Sequence, residues 1–456
     1  MPASLLPDPG VLDTLQTEIR ASGGEHARWP QGFPLGRITQ EYLVGRALGV
    51  LDVSGRVVAG GGEGGPSPAA PAAGPSGSTT GAQTLPVLVV DDTEAGELLL
   101  AVDSAARAAG LTRPVLTYND SFAVEPAEHA LPGRTADAGA GAGSPEDDEE
   151  REGPFRVVMA APKAVAALEE YLLDLADVTT EIVLVGREKH MGPGLREALA
   201  KFFSRVDVTP GVGKSRILVG TGPVPAGERG YVQGFPRAGT LPSPAPGVPE
   251  LPVRAHGACF GGIKKDPGTT ALVRALAART AEAPAGSVLD LGCGNGWLLA
   301  CAGHLLPTAH LTGVDVSRAA VASARETLAA AFGEEVFATG TVGAEESATD
   351  DGGATADGTG RAAVQLSDAG EELPAEAYDL VLLNPPFHEG AALGLTTAHR
   401  MITNAYRVLE PGGRLVCVFN SLLRHRTAIE DAFGADRVEQ WSRDTRFTVV
   451  SAVKAG

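Results

Sequence analysis

The sequence predicts an α/β protein of two tandem Rossmann-like domains, each on a seven-stranded, mostly parallel sheet. Three observations carry this. Apolar runs of strand length alternate with helical segments through both halves of the 456-residue chain. One run, Val288-Leu289-Asp290-Leu291, passes straight into a glycine-rich turn, Gly292 to Gly296 (GCGNG), and then a helix. The order of elements in the second half recurs in the first, so a duplicated fold with a degenerate N-terminal copy is expected. The length asks for two domains. The expected bounds are 1–221 for the degenerate copy, 222–252 for a linker and 253–456 for the working domain.

In chain order, Val87 to Asp92 (VLVVDD) is an apolar strand ending in acid, with no G-x-G-x-G after it. Ala161-Pro162-Lys163-Ala164 precedes a helix from Val165 to Leu175. A strand (EIVLVG, from Glu181), a helix (REALAKFF) and a strand (GKSRILVG) complete the first copy. Three biased stretches read as surface loops that bury too little apolar area to order themselves: Gly60 to Gly81, Ala136 to Gly153 with its acid run Glu146 to Glu150, and Gly340 to Gly360. Gly222 to Pro252, rich in proline and glycine, reads as the linker. Phe260 to Thr270 (FGGIKKDPGTT) reads either as a lid over a ligand or as an ordinary domain-entry loop.

The glycine turn is the first chemical signal. Gly292, Gly294 and Gly296 let the backbone approach a ligand, and the helix from Trp297 offers free N–H groups. A dinucleotide fingerprint is spaced G-x-G-x-x-G. Here the spacing is G-x-G-x-G with Asp290 two residues ahead, which looks like an S-adenosylmethionine (SAM) loop, NAD being the alternative. The next strand, His310 to Val316, carries Asp315, 19 residues past Gly296 and placed to accept from ribose hydroxyls. Ala363 to Leu366 is a strand leading to Ser367-Asp368, where the adenine is expected.

Asn384-Pro385-Pro386-Phe387-His388 follows the strand Tyr378 to Leu383. Proline holds Asn384 extended at the strand end. Pro385 and Pro386 lack N–H groups, so the turn offers acceptors and few donors. Such a turn suits a substrate –NH2, one hydrogen taken by the Asn384 side-chain oxygen and one by the Pro385 carbonyl. Phe387 supplies a flat face for a base. A conjugated amine is a weak nucleophile, and two acceptors can orient its lone pair, so catalysis is positioning. A proline turn with a core Phe is the bland alternative. His388 is read as loop-shaping, since no strong base is needed. Downstream, Ala319 to Ala331, Thr396 to Leu409 and Arg426 to Phe433 are predicted helices, and Arg414 to Asn420 and Phe447 to Val453 strands. The two motifs together predict class I methyltransferase domains acting on an amine or amide nitrogen.

Composition narrows the partners. The formal net charge is -19, from 37 Lys or Arg and 56 Asp or Glu, which argues against broad polyanion binding. From Thr397 to Gly456 the balance reverses, nine basic residues against six acidic. Arg424, His425 and Arg426 there either meet phosphates or are a solvated helix start, and Lys214 and Arg216 face the same choice. Four cysteines without metal spacing read as buried free thiols in a cytoplasmic protein. No metal site is expected. No apolar run reaches membrane length and no signal segment is evident, so no membrane partner is expected either.

With these residues in hand, the chain resembles the bacterial two-domain ribosomal RNA guanine-N2 methyltransferases of the RlmG and RsmC type. The resemblance rests on VLDLGCGNG at Val288 to Gly296, NPPFHEG at Asn384 to Gly390, RFTVVSAVK at Arg446 to Lys454, VLVVDDTEAG at Val87 to Gly96, YNDSF at Tyr118 to Phe122 and PKAVAALE at Pro162 to Glu169. It covers nearly the whole chain outside the biased stretches, and is nearest the 23S rRNA type. The resemblance implies that Asp290, Gly292, Gly294 and Gly296 line a SAM pocket. It assigns Asp315 to the ribose, Ser367 and Asp368 to the adenine end, and Phe260, Asp266 and Gly268 to the approach to the cofactor. It gives Asn384, Pro385 and Phe387 to the guanine. It implies transfer to the N2 amine of an rRNA guanine flipped into the pocket, and a first domain that helps hold RNA. The first copy lacks both the glycine loop and the NPPF acceptors, so it is expected to bind no SAM, and the chain is expected to be a monomer. Two other functions stay open: glutamine methylation of a release factor, and a non-catalytic RNA-binding chaperone.

Overall fold

The computed structural model describes residues 34–47, 51–56, 87–92, 96–108, 115–121, 154–283, 286–337, 361–386, 393–423 and 425–456. The three biased stretches expected as loops lie outside these, as do Phe387, His388 and Arg424. The chain divides into two compact units, Met1–Asn119 with Val124–Val232, and Asp120–Ala123 with Gln233–Gly456.

Among the described residues the first unit holds α1 (Pro34–Ala47), β1 (Val87–Val90), α2 (Glu97–Ala108), β2 (Val115–Tyr118), β3 (Phe155–Ala160), α3 (Val165–Leu175), β4 (Thr179–Arg187), α4 (Pro193–Phe202), β5 (Phe203–Val208) and β6 (Ser215–Pro223). The six strands lie in the order β2-β1-β3-β4-β6-β5. The first four run parallel, and β6 is antiparallel to both β4 and β5. Their central residues, among them Val89, Val158, Val183 and Val219, are buried, as an inner parallel sheet demands.

The second unit holds β7 (Arg237–Leu241), β8 (Leu251–Ala255), α5 (Pro267–Ala278), β9 (Ser287–Leu291), α6 (Trp297–Leu305), β10 (His310–Asp315), α7 (Arg318–Phe332), β11 (Ala362–Leu366), β12 (Tyr378–Leu383), α8 (Leu393–Val408), β13 (Leu409–Asn420), α9 (His425–Phe433), β14 (Val438–Arg443) and β15 (Phe447–Val453). Seven strands form one sheet in the order β11-β10-β9-β12-β13-β15-β14. Removing β11 leaves the strand order of the first unit, so the expected duplication appears as shared topology. The first unit lacks the counterpart of β11 among the described residues.

Both faces of this sheet are covered. Val288, Leu380 and Leu382 fall in one buried cluster; Leu289, Leu291, Val381 and Leu383 fall in the other. Alternating residues therefore go to opposite layers, which is why β9 and β12 read as unbroken apolar runs. The stretch expected as a linker is more than that. β7 and β8 form an antiparallel hairpin, Leu241 opposite Leu251. The hairpin is tied to α7: Arg254 N donates to Thr327 Oγ1 (3.0 Å), and the next residue after β8, His256, donates its N–H to Ser323 Oγ (2.9 Å). Proline and glycine density concealed two strands whose partner helix follows much later in sequence. No helix among the described residues is long and apolar enough to cross a membrane.

One side-chain clamp fixes the central register. Asp379 Oδ2 accepts from Ser287 N (2.8 Å) and Ser287 Oγ (3.1 Å), and Ser287 Oγ accepts from Asp379 N (3.0 Å). It holds the starts of β9 and β12 together. Asp379→Ala strands the Ser287 N–H in a part-buried place and is expected to cost about 1–3 kcal/mol. Urea unfolding followed by tryptophan fluorescence measures it; an unchanged midpoint would remove the clamp's importance.

Candidate active site

Four strand ends meet at one edge of the second sheet. Leu291 pairs with Val314 on one side and with Leu383 on the other, and Asp315 pairs with Leu366. The chain therefore leaves β9 at Gly292, β10 beside Asp315, β11 at Ser367 and β12 at Asn384, all at the carboxyl ends where α/β sheets place ligands.

The glycine turn is held from below by Val314, whose carbonyl accepts from Gly292 N (2.8 Å) and Cys293 N (2.9 Å). Gly292, Gly294 and Gly296 all have positive φ, at 85°, 52° and 76°. A Cβ on Gly294 would meet nothing within 4 Å, so that residue faces open space. A Cβ on Gly296 would lie 2.8 Å from Ala324 Cα on α7, so that glycine lets two helices close up. Asp315 Oδ2 accepts from Gly294 N (2.9 Å) and its Oδ1 from Ser317 N (3.0 Å). One carboxylate thus shapes both the loop and the turn into α7. Burial pushes the Asp315 carboxyl up, against the two N–H donors. Asp120, which falls in this unit though it lies early in the chain, caps α7 by accepting from Ala319 N (2.8 Å).

Asp290 lies beneath the loop, 1% exposed, with neither oxygen in a hydrogen bond of normal geometry. Burial first, and then the charge of Asp315, push its carboxyl well above the usual range; the Leu299 N–H opposes this but forms no well-shaped bond. A buried carboxyl without partners is costly and is kept where a function needs it.

The adenine-end residues are engaged more than the sequence suggested. Ser367 is buried, donates its N–H to Asp315 O (3.0 Å) and its hydroxyl to Glu372. Asp368 forms an ion pair with Arg400, which also reaches Glu371 at 3.5 Å. Arg400, on α8, was not singled out by sequence reasoning, since it lies 32 residues from Asp368.

Asn384 is the other pole. Its Nδ2 donates to Asp266 Oδ2 and to Thr269 Oγ1, each at 3.0 Å. Its Oδ1 is buried and has no partner. Pro385, next to it, is buried. Asp266, expected beside the cofactor, is the N-cap of α5, its Oδ2 accepting from Thr269 N (2.6 Å) with Pro267 at the first helical position. Its described contacts therefore join it to Asn384. Gly268 stands there too: a Cβ on it would lie 3.3 Å from Asn384 Oδ1 and 3.3 Å from Phe447 Cε1. Phe260 is 67% exposed, but its segment is fastened to the glycine turn, Asn295 Nδ2 donating to Gly262 O (2.8 Å). The structure thus brings Asp290, the three glycines, Asp315, Ser367 and Asn384 to one edge, with Asp266 and Gly268 on the Asn384 side. Phe387 lies outside the described residues. Thr269, Asn295 and Arg400 were missed. The D-x-G-T spacing at Asp266 to Thr269, a cap followed by a buried hydroxyl, was the available signal for Thr269.

The basic residues read either as phosphate contacts or as a solvated helix start are partly engaged within the chain. His425 is 1% exposed, and burial and His399 push it below its ordinary range. It is a packed residue, with its ring 5.9 Å from that of Phe419. Arg426 pairs with Glu430 (2.7 Å), and Arg216 of the first unit with Glu188 (3.0 Å).

The family described as Methyltransferase small domain matches residues 250–352 and 344–451, both within the second unit. The chain is 33% identical over 310 residues to a ribosomal RNA large subunit methyltransferase G of Ectopseudomonas mendocina, covering 67% of this chain and 73% of that one. It is 32% identical over 301 residues to the protein of the same name from Streptomyces coelicolor, covering 65% and 71%. A solved T. thermophilus 16S rRNA N2 G1207 methyltransferase (RsmC), in complex with AdoMet and guanosine, superposes with a TM-score of 0.58 at 21% identity, over 80% of this chain and 88% of that one; this likeness establishes the fold. Identity at the level of the named relatives, sustained over most of both chains, places this one among the rRNA methyltransferases: it belongs to the ribosomal RNA large subunit methyltransferase G family.

Proposed function

We propose that this chain transfers a methyl group from SAM to the exocyclic N2 amine of a guanine in ribosomal RNA, 23S in preference to 16S because its relatives are named for the large subunit. The observation that carries the reading is the Asn384 side-chain oxygen, buried and unpartnered at the strand end. The residues also fit the cofactor. Gly294 leaves an open cradle, and Asp315 keeps lone pairs for ribose hydroxyls beyond its bonds to Gly294 N and Ser317 N. SAM, when bound, supplies an electrophilic methyl group.

The chain's own residues supply position. Asn384 Oδ1 accepts one amine hydrogen and the Pro385 carbonyl the other, which turns the nitrogen lone pair out of the guanine ring's conjugation. Phe387 stacks on the base. After transfer the nitrogen carries an excess proton and is strongly acidic, so the proton leaves to water without a dedicated base. Ser367 holds the adenine end, Asp368 adding its second oxygen beside the Arg400 pair. Phe260 covers the cofactor entrance.

The first unit serves as a structural partner in RNA holding and takes no SAM. At the place of the glycine turn, Asp92 accepts from Leu98 N and Leu99 N, each at 2.8 Å. The N–H groups that open α2, free in principle for a ligand, are satisfied by the chain's own carboxylate.

Three measurements test this. With radiolabelled SAM, label is expected in 23S rRNA or large-subunit particles lacking the modification; label confined to release factor would overturn the substrate. Asn384→Ala is expected to lower transfer by roughly 10²-fold or more with SAM affinity nearly unchanged, since one oriented acceptor is lost; an undiminished rate would refute the acceptor role. Calorimetry is expected to give one SAM per chain, abolished by Asp315→Ala; a second site would refute the reading of the first unit.

A further inference from the structure

A carboxamide has one useful end for an amine substrate. Turned half a rotation, Asn384 keeps its shape but presents Nδ2, a donor, to a group that can only donate from its hydrogens. Something must hold it the right way round. Two acceptors face Nδ2 at 3.0 Å, the Asp266 carboxylate and the Thr269 hydroxyl, and both belong to the first turn of α5. The turned amide would set Oδ1 against the Asp266 carboxylate oxygen, acceptor to acceptor. Asp266 is itself fixed, because the same Oδ2 accepts from Thr269 N. Thr269 is 8% exposed, so water does not readily replace its hydroxyl. Gly268 lets this turn pack closely: a Cβ there would lie 3.1 Å from Asp266 Oδ2 and 3.3 Å from Asn384 Oδ1.

We propose that Asp266 and Thr269 are positioning residues for the transfer step: the acceptor-only Asp266 carboxylate selects the Asn384 rotamer that presents oxygen to the substrate amine, and the Thr269 hydroxyl anchors the same Nδ2. This rests on the reading of Asn384 as the amine acceptor. Donation of both Nδ2 hydrogens, one of them to a charged group, also makes Oδ1 a stronger acceptor. Helix start and substrate site are thus one hydrogen-bonded unit, and Asp266 acts on the guanine side.

Thr269→Val, Thr269→Ser and the double variant Asp266→Asn with Thr269→Val test it in the full chain. Single-turnover transfer, SAM affinity by calorimetry, guanosine affinity and the thermal midpoint are read for each. The Asp266→Asn change keeps a helix-capping side chain while removing the charge that rejects the turned amide. Thr269→Val is expected to slow transfer about five- to tenfold, the worth of one hydrogen bond, with SAM affinity and midpoint close to those of the parent. Thr269→Ser is expected to restore most of the rate, and the double variant to lose more than Thr269→Val alone and to bind guanosine more weakly. Thr269→Val at the parental rate, while Asn384→Ala is inactive, would overturn the orientation and leave the acceptor role standing. Asn384→Ala at the parental rate would overturn both. A loss in SAM affinity matching the loss in rate would return Asp266 and Thr269 to the cofactor side and also overturn the proposal.

Discussion

The parallel pairing of β9 with β12 is the constraint on which the site depends. It sets Leu291 opposite Leu383, so Gly292 and Asn384 leave the sheet side by side although 92 residues separate them. A slip of one residue would send every side chain of a strand to the other layer. Here both layers are apolar, so hydrophobic patterning alone penalises such a slip weakly. The Asp379–Ser287 clamp supplies the missing specificity, at the far end of the same two strands from the site.

The two units differ in how the turns after their matching strands use acidic side chains. The second leaves the Asp290 carboxyl and the Asn384 oxygen buried without partners. Each unmet group works against folding. The first unit, at the equivalent turn, has closed its helix start with Asp92, and Glu97 in turn accepts from Leu35 N and Gly36 N of α1, both at 2.8 Å. Two sheets of the same strand order thus differ in where their acids point. In the first unit Asp92 closes the helix start; in the second Asp315 shapes the glycine turn, while the Asn384 oxygen stays without a partner.

Much of the second unit was legible in the sequence, for a local reason. Gly292 to Gly296 and Asn384-Pro385-Pro386 act through backbone geometry, which glycine and proline dictate on the spot. The strands β9, β12 and β15 were legible as apolar runs. The hairpin of β7 and β8 was not, because proline and glycine dominate its composition and its support, Ser323 and Thr327, comes some 70 residues later. Nor was the contact of Asn384 with Asp266, 118 residues away, or with Thr269, 115 away. A cap residue looks complete in sequence; only the fold reveals that its second lone pair faces a side chain from another strand. His425 was not legible either: the basic triplet allowed a phosphate contact or a solvated helix start, and burial in the fold decided against both for this residue.

The acidity of the chain bears on how an RNA base is held. A net charge of -19 leaves little general attraction for a polyanion, and several basic side chains are already paired with acids. Affinity of that kind is in any case blind to sequence, since phosphates are the same at every nucleotide. Among the described residues the candidate site offers the opposite material, the Asn384 amide oxygen and the Pro385 carbonyl, neither of them charged. Such groups do not draw in RNA from a distance, but they distinguish an amine from a carbonyl once a base is present. On the proposed reading of Asn384 as the amine acceptor, selectivity rests on the orientation of neutral acceptors, and the hold on the Asn384 amide then serves recognition as well as rate.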